Sequence, residues 1–342
     1  MRRPRHALAG ILLSAGALIA ASLQVTAAQA APAPVTAGPA ASVHTGAATA
    51  AAQQRVGAFW TADRMRAAVP LDLLPVTAGA LRAPVDRGRE TVVAPTRASS
   101  ATPRAATPAS VAGPMAFPNA GGPWSGGGAI VTTSGRVFFT FQGRNASCSG
   151  DAVTSQNASL VITAGHCVKY QGSWHTNWTF VPGYHDGQAP YGTWTAAKTL
   201  ATSQWASSES MNYDVGAAVV NPLNGRRLTE VVGAQGLKFN GGYNQAMYAF
   251  GFPAAAPYDG TRLDYCSGNT SKDFLLTTDH GMSCNMTGGS SGGPWFSSFD
   301  EATGTGLQTS VNSFGYTFLP NRMFGPYFGT VVQTFYNQAQ AS

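Results

Sequence analysis

From Phe117 to the C-terminus the sequence is a succession of short β-type runs: RVFFTF (136–141), SLVITA (159–164), WTFVPG (178–183), VGAAVV (215–220), AMYAFGFP (246–253) and TSVNSF (309–314). Clusters of Gly, Asn, Pro and Asp part them, as in NPLNG (221–225) and APYDG (256–260). Runs this short, bounded this regularly by turn residues, exclude a helical bundle and predict an all-β sandwich or barrel with two packed β units. The 40 glycines suit that reading. Only the last residues, Tyr327 to Ala339, have the texture of an amphipathic helix, and no internal repeat is present.

The N-terminal third reads differently. Arg2, Arg3 and Arg5 precede an apolar run from Ala7 to Leu23, and Ala28-Gln29-Ala30 offers small residues for cleavage, the pattern of an export signal over residues 1–30. Gly10, Ser14 and Gly16 interrupt the run and weaken the reading as a permanent membrane anchor. Residues 31–116 are then expected to be a pro-segment, largely disordered because Ala, Pro and Thr dominate it. Within it, VGAFWTADRMRAAVPLDLL (56–74) is an island that could pack on a folded domain.

The formal charge of +6 is unevenly placed. Residues 1–110 hold eleven Arg against four acids, whereas residues 111–342 hold ten Lys or Arg against eleven. Basicity thus leaves with the segments expected to be removed, which argues against nucleic-acid binding. An exported chain with four cysteines, Cys148, Cys167, Cys266 and Cys284, is expected to form two disulfides. Three pairings are open, and the sequence-local one, Cys148–Cys167 with Cys266–Cys284, is the one expected here. With no C-x-x-C pair, no H-E-x-x-H and no acidic cluster, neither a metal nor a cofactor is expected.

The chemistry concentrates in Gly289-Ser290-Ser291-Gly292-Gly293-Pro294. Glycines on both sides of Ser291 let the backbone turn sharply and bring N–H groups near a substrate carbonyl. The string also satisfies G-x-S-x-G, but an α/β-hydrolase needs its histidine after the serine, and none follows Ser291. The base must lie upstream. Among His166, His175, His185 and His280, the first ends an apolar strand beside Cys167 and is best placed for general-base work. Asp214, just before an apolar run, is the acid whose burial would demand a partner. Asp186, Asp259 and Asp300 sit in ordinary turn sequence.

In the order His, Asp, Ser, the motifs TAGHC, NYDVGAAVV and GGSSGGP resemble those of chymotrypsin-like serine peptidases, with most likeness to bacterial secreted trypsin-like and glutamyl-endopeptidase-like enzymes. The resemblance spans residues 117–342. It implies two packed antiparallel six-stranded β-barrels with a short C-terminal helix. It also implies a secreted serine endopeptidase acting through an acyl-enzyme on protein or peptide substrates as a monomer, with no membrane contact after signal removal. Carried over, the nucleophile is Ser291, the base His166 and the orienting acid Asp214. The N–H groups of Gly289 and Ser291 match the oxyanion hole. Ser313, Phe314 and Gly315 resemble the segment that pairs with the substrate backbone as an added strand.

The chain departs from the family's patterns at its specificity positions. Ser290 stands where animal members have an aspartate that pairs with the new N-terminus, so activation by that ion pair is not expected. Asn285 stands where trypsin-like members have an aspartate, which argues against Lys or Arg selection. Met286 and Asn312 replace the threonine or serine and the histidine of glutamate-preferring relatives. All three are expected near the substrate. The alternatives are a protease-fold peptide-binding protein without catalysis and a glycan-binding β domain. The intact Ser, His and Asp argue against the first, and the scattered aromatics, explained by core packing, against the second.

Overall fold

The computed structural model describes residues 40–76, 86–99 and 115–342, all within one compact unit. The expected export signal lies outside the described residues. Six strands form a closed antiparallel barrel: β1 (Ser134–Phe141), β2 (Arg144–Ala152), β3 (Leu160–Thr163), β4 (Thr176–Pro182), β5 (Trp194–Thr202) and β6 (Gly216–Val220). Their order is β5-β4-β1-β2-β3-β6, and β6 returns to pair with β5. Closure leaves no free edge within the ring.

The second half contains β7 (Gly236–Phe239), β8 (Ala246–Gly251), β9 (Asp264–Asn269), β10 (His280–Ser283), β11 (Pro294–Asp300), β12 (Thr305–Val311), β13 (Phe314–Tyr316) and β14 (Arg322–Gly325). Its hydrogen bonds divide among two sheets. One runs β7-β12-β11-β8-β9, with Thr91–Val93 added at one edge and Asn119–Pro123 at the other. The other runs β10-β14-β13, flanked by Ser271–Lys272 and Leu74–Val76. The Cys266–Cys284 disulfide joins β9 to the residue after β10 and so ties the two sheets together. Helix α1 (Thr330–Gln340) closes the chain, burying Val332, Phe335, Tyr336 and Ala339, one stripe at helical spacing.

Order in the N-terminal third extends well beyond residues 56–74. A strand at Ala41–Thr45 pairs with β5, and a helix covers Ala50–Phe59 with Thr49 as its N-cap. Residues 86–99 contribute the edge strand on β7. The strands of these segments complete sheets that the later chain offers, a tertiary gain their composition does not reveal. Trp60, Met65 and Ala68 pack with Phe138, Val181, Tyr184 and Phe252. Phe138 thus turns outward to that cluster, while Val137 and Phe139 turn into the barrel core. This two-sided burial is why RVFFTF reads as a continuous apolar run rather than an alternating one.

Candidate active site

His166 and Asp214 meet because of strand register. β3 and β6 are antiparallel neighbours with Thr163 opposite Gly216. The chain leaving β3 and the chain entering β6 therefore lie at the same end of the barrel. His166 occupies a 3-10 turn at Gly165–Cys167, and Asp214 follows a similar turn at Met211–Tyr213. Both side chains are fully buried, and a buried carboxylate is tolerated only when its oxygens are satisfied. Asp214 accepts three hydrogen bonds: from the His166 backbone N–H (2.8 Å), from His166 Nδ1 (2.7 Å) and from Ser313 Oγ (2.6 Å). An imidazole bonded to this carboxylate through Nδ1 presents Nε2 on its far side. Gly165 is required by this packing, since a Cβ there would fall 2.6 Å from the Trp205 ring and 2.9 Å from Asp214 Oδ1.

The serine loop is held by backbone bonds from both halves. Gly292 N–H donates to the Asn312 carbonyl, and Asn312 N–H to the Gly293 carbonyl, both at 2.8 Å. From the first barrel, Ser149 N–H donates to the Ser291 carbonyl (2.7 Å), and Ser149 Oγ donates to the Gly289 carbonyl (2.9 Å) while accepting from Phe252 N–H (2.8 Å). Gly292 has φ +79°, and a Cβ on it would sit 2.1 Å from Thr163 Oγ1. The two serines differ sharply. Ser290 Oγ donates to the Thr287 carbonyl at 2.7 Å, so its hydroxyl is engaged. Ser291 Oγ and His166 Nε2 are buried and have no hydrogen-bond partner among the described residues, and no bond joins them to each other. The loops adjoin, with Ser291 O 3.6 Å from the sulfur of Cys167.

Disulfides join Cys148 to Cys167 and Cys266 to Cys284. Cys148, His166 and Cys167 form the one grouping of potential metal ligands within 4.8 Å among the described residues, but both its sulfurs lie in the disulfide and offer no thiolate. The other histidines have structural settings. His175 donates from Nε2 to the His166 carbonyl (2.8 Å) and stacks on Phe139; burial pushes its pKa down to about 3, so it supports the loop as a neutral ring. Burial likewise lowers His280 to about 4, and His185 is exposed.

The structure divides the expected substrate-binding residues. Met286 is buried in a cluster with Met247, Met282, Trp295, Met323 and the Cys266–Cys284 disulfide, and Asn285 is exposed beside it. Ser313 is engaged with Asp214, whereas Phe314 and Gly315 form strand β13. Asn312, also expected near the substrate, is turned inward. It is fully buried, donating from Nδ2 to the carbonyls of Phe250 and Ser290 (2.8 Å each) and accepting from Trp295 Nε1 (2.5 Å). All its amide groups are taken up holding β8, β11 and the serine loop together. Ser149 was missed altogether, because an alternating Ser/Cys/Gly strand carries no apolar signal.

No family model matches the chain. Among solved structures it is similar to protease Anisep from Arthrobacter nicotinovorans, at 47% identity and TM-score 0.59, covering 63% of this chain and 98% of that one. It is also similar to the thermostable serine protease AL20 from an extremophilic microorganism, at 40% identity and TM-score 0.59, covering 63% and 99%. A curated relative, an extracellular metalloprotease of Bacillus subtilis (strain 168), is 37% identical over 75 residues, which are 22% of this chain. The match spans 23% of that protein's length. A closed antiparallel barrel joined to a second β unit, with near-complete coverage of two proteases, defines a peptidase-class hydrolase scaffold. The chain belongs to the chymotrypsin-like serine proteases.

Proposed function

We propose that the protein is a secreted, monomeric serine endopeptidase, with Ser291 as nucleophile, His166 as general base and Asp214 as the acid that orients it. The observation that carries this reading is an Asp214 carboxylate bonded to His166 and Ser313 beside two buried atoms, His166 Nε2 and Ser291 Oγ, that have no partner among the described residues. Ser291 Oγ attacks the carbonyl carbon of a peptide bond, and its proton passes to His166 Nε2. The N–H groups of Gly289 and Ser291 receive the oxyanion, a contribution of about 10²–10³ in rate for each such donor. His166 then protonates the leaving amine, and water, deprotonated by the same nitrogen, releases the acyl group from Ser291.

Residues 1–30 act as the export signal and residues 31–116 as a pro-segment, a reading supported by two disulfides. Among the described residues no helix is long and apolar enough to cross a membrane. The test is labelling with a fluorophosphonate probe. Modification at Ser291, abolished by Ser291→Ala and strongly slowed by His166→Ala, is expected; a folded, processed protein that takes no label at Ser291 refutes the proposal.

A further inference from the structure

A segment of the N-terminal third, Val69–Val76, runs along the strands and the serine loop that border this cleft. Val69–Pro70 pairs in parallel with β2, Val69 opposite Ala146 and Pro70 opposite Ser147. Leu71 N–H donates to the Ser147 carbonyl at 2.9 Å, and the Leu71 carbonyl accepts from Gly289 N–H at 2.8 Å. Leu73 packs against the apolar cluster that contains Met286, Met323 and the Cys266–Cys284 disulfide. Leu74 N–H donates to the Ser313 carbonyl at 3.2 Å, and Leu74–Val76 lies parallel to β13 with Leu74 opposite Phe314 and Pro75 opposite Gly315. The fit against the serine loop is close: a Cβ on Gly288 would stand 2.8 Å from Asp72 Oδ1 and 3.2 Å from the Leu71 carbonyl oxygen.

The register of this segment is not that of a peptide about to be cut. In acyl transfer the residue whose carbonyl enters the oxyanion site is also the one whose side chain fills the adjoining pocket. Here the carbonyl on Gly289 belongs to Leu71 and the side chain in the apolar cluster to Leu73, two residues further on. The cleft binds the segment by strand addition while keeping its peptide bonds out of the reacting geometry. Covalent attachment raises the segment's local concentration to the millimolar range or so, far above what a free competitor meets.

We propose that Val69–Val76 is a built-in inhibitor that keeps the full chain latent, and that the pocket filled by Leu73 selects leucine-sized aliphatic side chains in substrates once the segment leaves. The inference rests on the peptidase reading, so its test must separate the two. Full-length wild type, Leu73→Asp and Leu73→Ala are compared for the rate of fluorophosphonate labelling at Ser291, with melting curves to show that each is folded. Leu73→Asp labels roughly tenfold faster, the factor that loss of one half-buried leucine from the contact implies, and Leu73→Ala falls between. An added VPLDLLPV peptide slows the Leu73→Asp variant, whereas VPLDDLPV does not. Peptides cut by the Leu73→Asp variant carry Leu or Met before the scissile bond. Equal labelling rates at Ser291 in folded wild type and both variants overturn the inhibitor. Cleavage after charged residues overturns the pocket assignment. Absence of label at Ser291 in every variant refutes the peptidase reading itself, and the inference falls with it.

Discussion

Replacing Asn312 by leucine separates a residue that shapes the cleft from one that reads the substrate. The two side chains share a branched shape at Cγ, so the change deletes the hydrogen bonds, and the bulkier methyls crowd the carbonyls that the amide bonded. Three bonds vanish together: two from Nδ2 to the carbonyls of Phe250 and Ser290, and one from Trp295 Nε1 to the amide oxygen. All three partners lie in fully buried residues, so water cannot replace what is lost. Each stranded group costs about 1–3 kcal/mol, and partial relaxation brings the expected sum to about 3–5 kcal/mol. For a domain of this size that is a fall in Tm of roughly 10 °C, at about 2–4 °C per kcal/mol. Calorimetric melting of the Ser291→Ala background, which avoids self-digestion, measures it. Because Ser290 precedes the proposed nucleophile, labelling in the Ser291 background should also slow, while the side-chain preference of cleavage stays as in wild type. A variant with unchanged Tm and altered side-chain preference would refute the argument, since Asn312 would then be facing substrate.

Three further outcomes follow from the same structure. Asp151 is fully buried and burial pushes its pKa up to about 8, so the folded state retains a proton that the unfolded state loses near pH 4; its contribution is present below that pH and is lost as pH rises toward 8. Asp151→Asn, which mimics the protonated acid, should therefore raise stability at pH 7 by about 1–3 kcal/mol and flatten the pH 4–8 profile, checked by denaturant titration. Gly165→Ala should slow Ser291 labelling at least about tenfold and destabilise by about 1–3 kcal/mol, because the new methyl displaces Trp205 or the His166 turn. Replacing Cys148 and Cys167 together by serine opens a loop of sequence separation 19 and should cost about 3 kcal/mol by loop entropy, read as a lower urea midpoint.

The strands legible in the sequence were those carrying long apolar side chains: RVFFTF, SLVITA, WTFVPG and VGAAVV mark β1, β3, β4 and β6. β2 was not legible, since RNASCSGDA buries seven of its nine residues with small side chains that no hydrophobic pattern registers. The same cause hid Ser149. His166, Asp214 and Ser291 were readable as motifs, yet the third bond to Asp214, from Ser313, depends on residues 99 positions apart coming together. The setting of Asn312 was hidden for a related reason: its place in the chain is a fact of sequence, whereas the direction of its amide is set by Trp295 and the Phe250 and Ser290 carbonyls. The strands Ala41–Thr45 and Thr91–Val93 were not legible because their pairing resides in sheet edges supplied by distant strands.

Ser149 gives the molecule a mechanical property. Its N–H and hydroxyl clamp the Ser291 and Gly289 carbonyls, although Ser149 lies in the first barrel and the loop it grips belongs to the second half. His166 and Asp214 are built on one body and Ser291 on another, and this clamp welds the two bodies at the seam where the three side chains are gathered. Loosening either half would therefore loosen both, and amide protons of β2 and of the serine loop should exchange with solvent with one shared opening free energy, as parts of one cooperative unit.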